Sequence, residues 1–282
     1  MNLTAPSAAD VVRAPAAESS DRPPRRTTGP GRGRWWVRVG AGLLLPVGLL
    51  VTWQLVAAAG VYSTAQLPPP GDVVLALREL IVRGELWQHL AISTQRVLLG
   101  FAAGSVVGLA LGGLVGLTPL ARAVFAPTVQ ALRAIPSLAW VPLLLLWLGI
   151  GETPKVVLVA IGAFFPVYTT VASALAHVDP HLVELGRAYG RRGLRLLATV
   201  QLPAAVPPVL AGLRLAMAQS WLFLVAAELI ASSIGLGFLL IDSQNTGRTD
   251  LTLLAIVLLA LLGKACDSVF GLVERFLPPA RR

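Results

Sequence analysis

The side chains able to do chemistry in this sequence are few, and several stand where charge is expensive. Glu228 lies inside the apolar run Leu222 to Ile230, while Arg214, Lys264 and Asp267 interrupt other uncharged stretches. A charge at the centre of a bilayer costs about 2.5–3.5 kcal/mol on insertion scales, so each must face an opposite charge or water. Lys264 and Asp267, three residues apart on one helical face, are expected to pair with each other. Glu228 either lines a polar path or forms a structural or gating pair with an Arg or Lys. His177 and His181 have the i, i+4 spacing that metal sites use, but no Cys or carboxylate is arranged around them, so a hydrated loop pair is expected and no metal. Cys266 is the single cysteine, which excludes a disulfide within the chain and suits a small apolar filler. His, Asp and Ser residues are too scattered for a convergent catalytic cavity, and no cofactor is implied.

The elements that must position these groups follow from composition. Of 282 residues, 55% are apolar and 13% charged, with mean hydropathy +0.74. A soluble domain carries about 25% charge. The chain is therefore read as all-α and polytopic, with six transmembrane helices at about 39–59, 97–121, 134–151, 156–178, 206–232 and 251–273. The transmembrane body is 37–276, preceded by a basic, disordered cytoplasmic segment, 1–36, and followed by a cytoplasmic tail, 277–282. The first span is expected to be uncleaved, because its apolar run and the leader before it are too long for a signal peptide. Arginines at 13, 22, 25, 26, 32, 34 and 38, and again at 187, 191, 192 and 195, put both termini and the loop after the fourth span in the cytoplasm. The stretch 71–90 has mixed amphipathic character and is expected to lie as a helix along the outer interface. The net charge of +9 is thus a topology signal; no basic run is interleaved with aromatic residues, so nucleic acid is not an expected partner, whereas membrane lipid is.

Gly100, Gly104, Gly108, Gly112 and Gly116 recur every fourth residue through the second span. That spacing makes a slowly winding stripe without side chains, a face on which another helix packs closely. The neighbour is either another span of this chain or a second subunit.

The loop from His177 to Pro203 is more organised than a linker. Asp179-Pro180 is a helix start, with the carboxylate capping free N–H groups and proline in the first turn. Gly190 is expected to break that helix where a left-handed or closely packed backbone is needed. A second short segment runs from Gly193, and prolines 203, 207 and 208 are expected to prevent one regular helix through the corner.

Glu184, Gly190 six residues on, and Val200-Gln201-Leu202-Pro203 after nine more resemble the loop motif of inner-membrane subunits of binding-protein-dependent ABC importers. That family has E-A-A, three residues, G, nine residues, then I-x-L-P; Leu185, Gly186 and Val200 depart from it conservatively. The stretches Leu132-Arg133-Ala134-Ile135-Pro136, Leu148 to Glu152, Gly235 to Phe238 and Leu261 to Lys264 are similar to the branch transporting aliphatic sulfonates, taurine and nitrate. Glu184 to Gly190 and Asp242 to Asp250 look most like alkanesulfonate permeases. The resemblance implies a coupling helix carrying Glu184, Leu185, Gly186, Gly190, Leu202 and Pro203, which docks on a cytoplasmic ATPase. It also implies a permease homodimer in a bacterial plasma membrane, two ATP-binding subunits, and an extracytoplasmic solute-binding protein. The absence of a G-x-x-x-x-G-K-[ST] loop agrees, since hydrolysis then resides on a partner chain and this chain is a transport subunit rather than an enzyme. With an anion as cargo, a carboxylate in the path would repel it, which favours a paired or gating Glu228. Trp140, Ser220 and Trp221, with Ser137 and Trp147, are the remaining pathway candidates. A secondary transporter is the alternative of a different class, but it would want repeated halves, and no internal repeat is found.

Overall fold

The computed structural model describes residues 33–275; the expected leader through residue 32 and the tail 277–282 lie outside the described residues. The chain divides into two units at Leu50–Val51. The described part of the first, 33–50, is wholly helical, with Leu44, Leu45 and Leu49 exposed as lipid-facing side chains would be. It opens helix α1 (Gly33–Ala58), which begins ahead of the boundary expected at 37.

Within the second unit the helices are α2 (Pro70–Val82), α3 (Glu85–Leu117), α4 (Pro119–Ala134), α5 (Trp140–Leu148), α6 (Glu152–Ala176), α7 (Pro180–Ala188), α8 (Gly193–Leu196), α9 (Leu202–Ala231), α10 (Leu236–Asn245) and α11 (Thr249–Arg275). No strand occurs among the described residues. Among the described residues four stretches are long and apolar enough to cross a membrane: Glu85–Leu117, Glu152–Ala176, Gly193–Ala231 and Thr249–Arg275.

The glycine stripe organises this unit, and its neighbour is α6 of the same chain. A Cβ on Gly108 would stand 2.9 Å from Val167 Cβ, and one on Gly116 the same distance from Leu175 Cβ. Gly100 meets Val159, Gly104 meets Ala160 and Ala163, and Gly112 meets Tyr168 and Val171. Without side chains on α3, the two backbones approach closely enough for Val159, Ala163, Val167 and Val171 to be fully enclosed. Numbers rise together on both helices, so α3 and α6 are parallel. The chain between them must therefore travel back along the full length of the pair.

That return differs from the single span expected at 134–151. It is made by α4 and α5, separated by extended backbone at Ile135 (φ −70°, ψ 126°) and a short 3-10 turn, Ser137–Ala139. Pro136 is the cause, since proline drives the preceding residue out of the helical region. The second expected span also starts too late: α3 begins at Glu85, because His89, Ser93 and Arg96 are buried on one face instead of marking an aqueous flank. The expected interfacial helix over 71–90 is broken at Gly84, whose φ of +74° suits a residue without a side chain, so that α2 ends and α3 begins there.

A third correction concerns the proline corner. Helix α9 runs through Pro207 and Pro208, with Pro203 in its first turn. A wide π turn, Leu197–Gln201, precedes it, and Pro203 sits in the first turn of α9, where a missing N–H is tolerated. Helix α9 packs antiparallel on α6: Gly162 receives the Phe223 ring near one end and Gly212 receives Thr170 nearer the other.

Candidate functional site

The corner between α6 and α9 is built as a projecting knob. Asp179 accepts a hydrogen bond from His181 N–H at 2.9 Å, and Pro180 fills the first turn of α7. At the other end Gly190 has φ +74°, its N–H donates to Arg187 O at 2.9 Å, and Arg191 N–H donates to Gly186 O at 3.0 Å. This pair of bonds closes the helix with its terminal carbonyls satisfied, a geometry that depends on the left-handed glycine. Both helix ends were legible in the sequence for the same physical reasons.

Gly186 is buried because α7 crosses the following segment there; a Cβ would meet Leu196 Cδ1 at 2.6 Å and Val200 Cγ2 at 3.0 Å. The other face of α7 is open. Glu184 is exposed and makes no hydrogen bond or ion pair among the described residues. Around it Leu182, Leu185, Tyr189 and Leu194 are also exposed, the last two at 78% and 82%. Leu202 and Pro203 stand exposed at the foot of α9. An unpaired carboxylate ringed by apolar side chains, on a helix fixed at both ends, is the kind of surface that macromolecular partners use.

At the opposite end of the helices lies an ion network in which Arg96, Lys155 and Glu228 are buried and Glu152 is exposed. Arg96 Nη1 donates to Glu228 Oε1 at 2.6 Å, and the other edge of the guanidinium donates to Glu152 at 2.5 and 2.6 Å. Lys155 Nζ donates to Glu152 Oε1 at 3.0 Å. Glu228 also accepts from Ser93 Oγ at 2.8 Å and from Gly237 N–H at 2.8 Å. Two cations thus face two carboxylates, which removes the net charge that burial would penalise. The network also holds the α9–α10 turn: Arg96 Nη1 donates to Ile234 O at 2.7 Å, Gly235 N–H to His89 Nδ1 at 3.0 Å, and Leu236 N–H to Ser93 Oγ at 2.9 Å. Gly235, at φ +128°, packs so closely on the Glu228 carboxylate that any side chain would collide with it.

The charges of α9 and α11 pair as well. Lys264 Nζ donates to Asp267 Oδ2 at 2.9 Å, as their spacing predicted, and Asp267 also receives the Arg214 guanidinium, which reaches Glu274 at 3.2 Å. Ser220 is buried and donates to Ala216 O at 2.9 Å, and Trp221 is buried among Val97, Val159, Met217 and Leu224. Trp140 instead lines a cavity of about 300 Å³, together with Arg133 and Gln219. Trp147 is 66% exposed. The coupling candidates therefore gather at one end and Glu228 at the other, with Trp140 between them along α6. Arg96, Ser93 and His89 were missed as network members, although their i, i+4, i+7 spacing puts them on one helical face.

Residues 104–277 match the family described as binding-protein-dependent transport system inner membrane component. The aliphatic sulfonates transport permease protein SsuC of Bacillus subtilis is 41% identical over 249 residues, covering 88% of this chain and 89% of that protein. Its Escherichia coli counterpart is 43% identical, covering 86% and 92%. The E. coli taurine transport system permease protein TauC is 34% identical, covering 82% and 86%. Among solved structures, a chain of the inward-facing MetNI methionine ABC transporter superposes with a TM-score of 0.57 at 25% identity, covering 71% of this chain and 96% of that one.

Proposed function

The chain belongs to the inner-membrane components of binding-protein-dependent transport systems, and from that membership we propose that it is the membrane-spanning subunit of an ATP-driven importer of aliphatic sulfonates. The observation that carries the reading is the knob at α7. Its capped start, its glycine-closed end and the unpaired Glu184 make a rigid element that a partner can grip. Displacing it moves α6 and α9, to which it is directly joined, and a rigid-body shift of this kind is one way to alternate access.

Hydrolysis resides on separate ATP-binding subunits, two per complex, and Leu185, Gly186, Gly190, Leu202 and Pro203 complete the docking face around Glu184. A solute-binding protein delivers substrate from outside, and two copies of this chain enclose the path. The chain sits in a bacterial plasma membrane with both termini in the cytoplasm. It crosses six times, counting α1 and the broken α4–α5 pair with the four long stretches. The parallel course of α3 and α6 supports that count, because it demands a return crossing between them. Glu228 with Arg96 secures the outer turn between α9 and α10 and gates access there.

Growth tests this reading. A strain deleted for the chain should fail on alkanesulfonates as sole sulfur source, grow on sulfate, and recover when the gene is restored. Normal growth of the deletion strain on alkanesulfonates, with failure on taurine or nitrate, would transfer the assignment to that solute.

A further inference from the structure

The cavity beside Trp140 lies at the middle of the helices that surround it. Its α6 lining runs from Ile161 to Thr169 within Glu152–Ala176, and its α9 lining from Leu215 to Phe223 within Leu202–Ala231. At about 1.5 Å per residue, that is more than 10 Å from any end of either helix. The break between α4 and α5 reaches the same level, since Arg133 and Ile135 line the cavity too. Non-helical backbone at such depth is tolerated only where it is covered by protein or lines a polar cavity. Here it carries a cation to the cavity wall.

Arg133 has no ion pair or hydrogen bond among the described residues, and no carboxylate lines the cavity. Arg133 is exposed, and the cations of α3, α6, α9 and α11 named above each have a carboxylate partner. Gln219, half-buried and equally without a partner, adds a neutral amide donor. Trp140, Ile161 and Phe165 form a shared wall with a second cavity of about 320 Å³ whose lining is apolar throughout, Leu132 and Phe164 included. The two spaces are each of a size that small-molecule sites occupy. One has a single unopposed guanidinium, which grips an oxyanion through paired N–H donors; the other offers apolar surface next to it.

We propose that Arg133 and Gln219 are the recognition point for a singly charged oxyanion head group within the translocation path, and that the adjoining apolar cavity takes its alkyl chain. The proposal rests on the importer reading and names where that path selects its cargo. A single guanidinium matches one negative charge, and the apolar wall matches an alkyl tail better than a charged amine. A phospholipid head group offers the same chemistry, a singly charged oxyanion on an apolar chain, so the test separates the two sources.

The full complex with its ATPase and binding protein is reconstituted in proteoliposomes, and ATP-driven uptake of butanesulfonate is measured. Arg133→Gln should lower uptake by about tenfold or more, the effect of losing a charge-assisted contact. Moving the cation across the cavity in Arg133→Gln with Gln219→Lys should restore much of it, a recovery that a misfolded variant could not give. Uptake by Arg133→Gln equal to the parent's overturns the inference alone. So does an Arg133→Gln defect that Gln219→Lys leaves unrelieved. Phospholipid retained by the parent but not by Arg133→Gln, with equal uptake, assigns the site to lipid and also overturns it. A parent complex that imports no sulfonate overturns the importer reading beneath it.

Discussion

Arg96 and Glu228 form an ion pair at 2.6 Å between side chains that are 2% and 0% exposed. They join α3 to the end of α9 inside the apolar body, and the same guanidinium holds the carbonyl of Ile234. Removing one partner leaves the other buried and charged. Such a loss costs about 3–5 kcal/mol, whereas replacing both by apolar side chains of similar volume is close to neutral. Arg96→Met and Glu228→Leu are each expected to lower the thermal midpoint of the purified protein sharply, and the double variant to regain most of it. A double variant no better than the singles would show that the turn contacts, rather than the pair, carry the stability.

The glycine stripe makes a sharper prediction now that its neighbour is known. Gly108→Leu inserts a side chain where a Cβ already meets Val167 Cβ at 2.9 Å, and overpacking of this kind costs about 1–3 kcal/mol or more. Gly113→Leu, one position off the stripe with nothing within 4 Å, is the control. Folded yield after detergent extraction should fall for the first and hold for the second.

Two glycines of the knob should respond differently to substitution. Gly186→Ala meets the flexible end of Leu196, which can yield, and Val200 Cγ2 at 3.0 Å, which must give by a few tenths of an ångström, and this position takes alanine in the family that the loop resembles. Gly190→Val forces a β-branched residue into φ +74°, at a cost of about 1–3 kcal/mol, and opens the end of α7. ATPase co-purification with the permease should survive Gly186→Ala and fall with Gly190→Val.

Arg248 links α2 to the start of α11, donating to Glu79 Oε2 at 2.8 Å and to Asp250. The hydrogen bond from Arg248 holds the Glu79 carboxyl below its ordinary pKa. A depressed pKa in the folded state stabilises above the unfolded value, about 4.3, and that contribution disappears as pH falls through the folded value. The thermal midpoint should therefore drop on acidification below about pH 4 in the parent, and drop less in Glu79→Gln.

Legibility in the sequence followed the physics of each signal. The glycine stripe, the Asp179 cap and the Gly190 stop were readable because each rests on local geometry within a few residues. The Lys264–Asp267 pair was readable for the same reason. Arg96 reads in the sequence as the edge of a span, since a charge ordinarily marks water, whereas its partners Glu152 and Glu228 lie 56 and 132 positions away. Pro136 breaks α4 from α5 in a stretch whose apolar composition reads as one helix; only the parallel course of α3 and α6 shows that a return must pass there. Arg133 belongs to the family-like stretch Leu132 to Pro136, but it stands just outside the apolar run, and nothing local shows that the chain break carries it to a cavity wall.

The central claim is that the α7 knob transmits ATP hydrolysis into solute import. Its most direct test is uptake of labelled butanesulfonate into proteoliposomes holding the full complex, with ATP hydrolysis followed in the same vesicles, for the parent and Glu184→Lys. The account predicts uptake by the parent only with ATP, and loss of that uptake by about tenfold or more when the unpaired carboxylate is reversed. Undiminished ATP-driven uptake by Glu184→Lys, or uptake by the parent on an ion gradient without ATP, would contradict it.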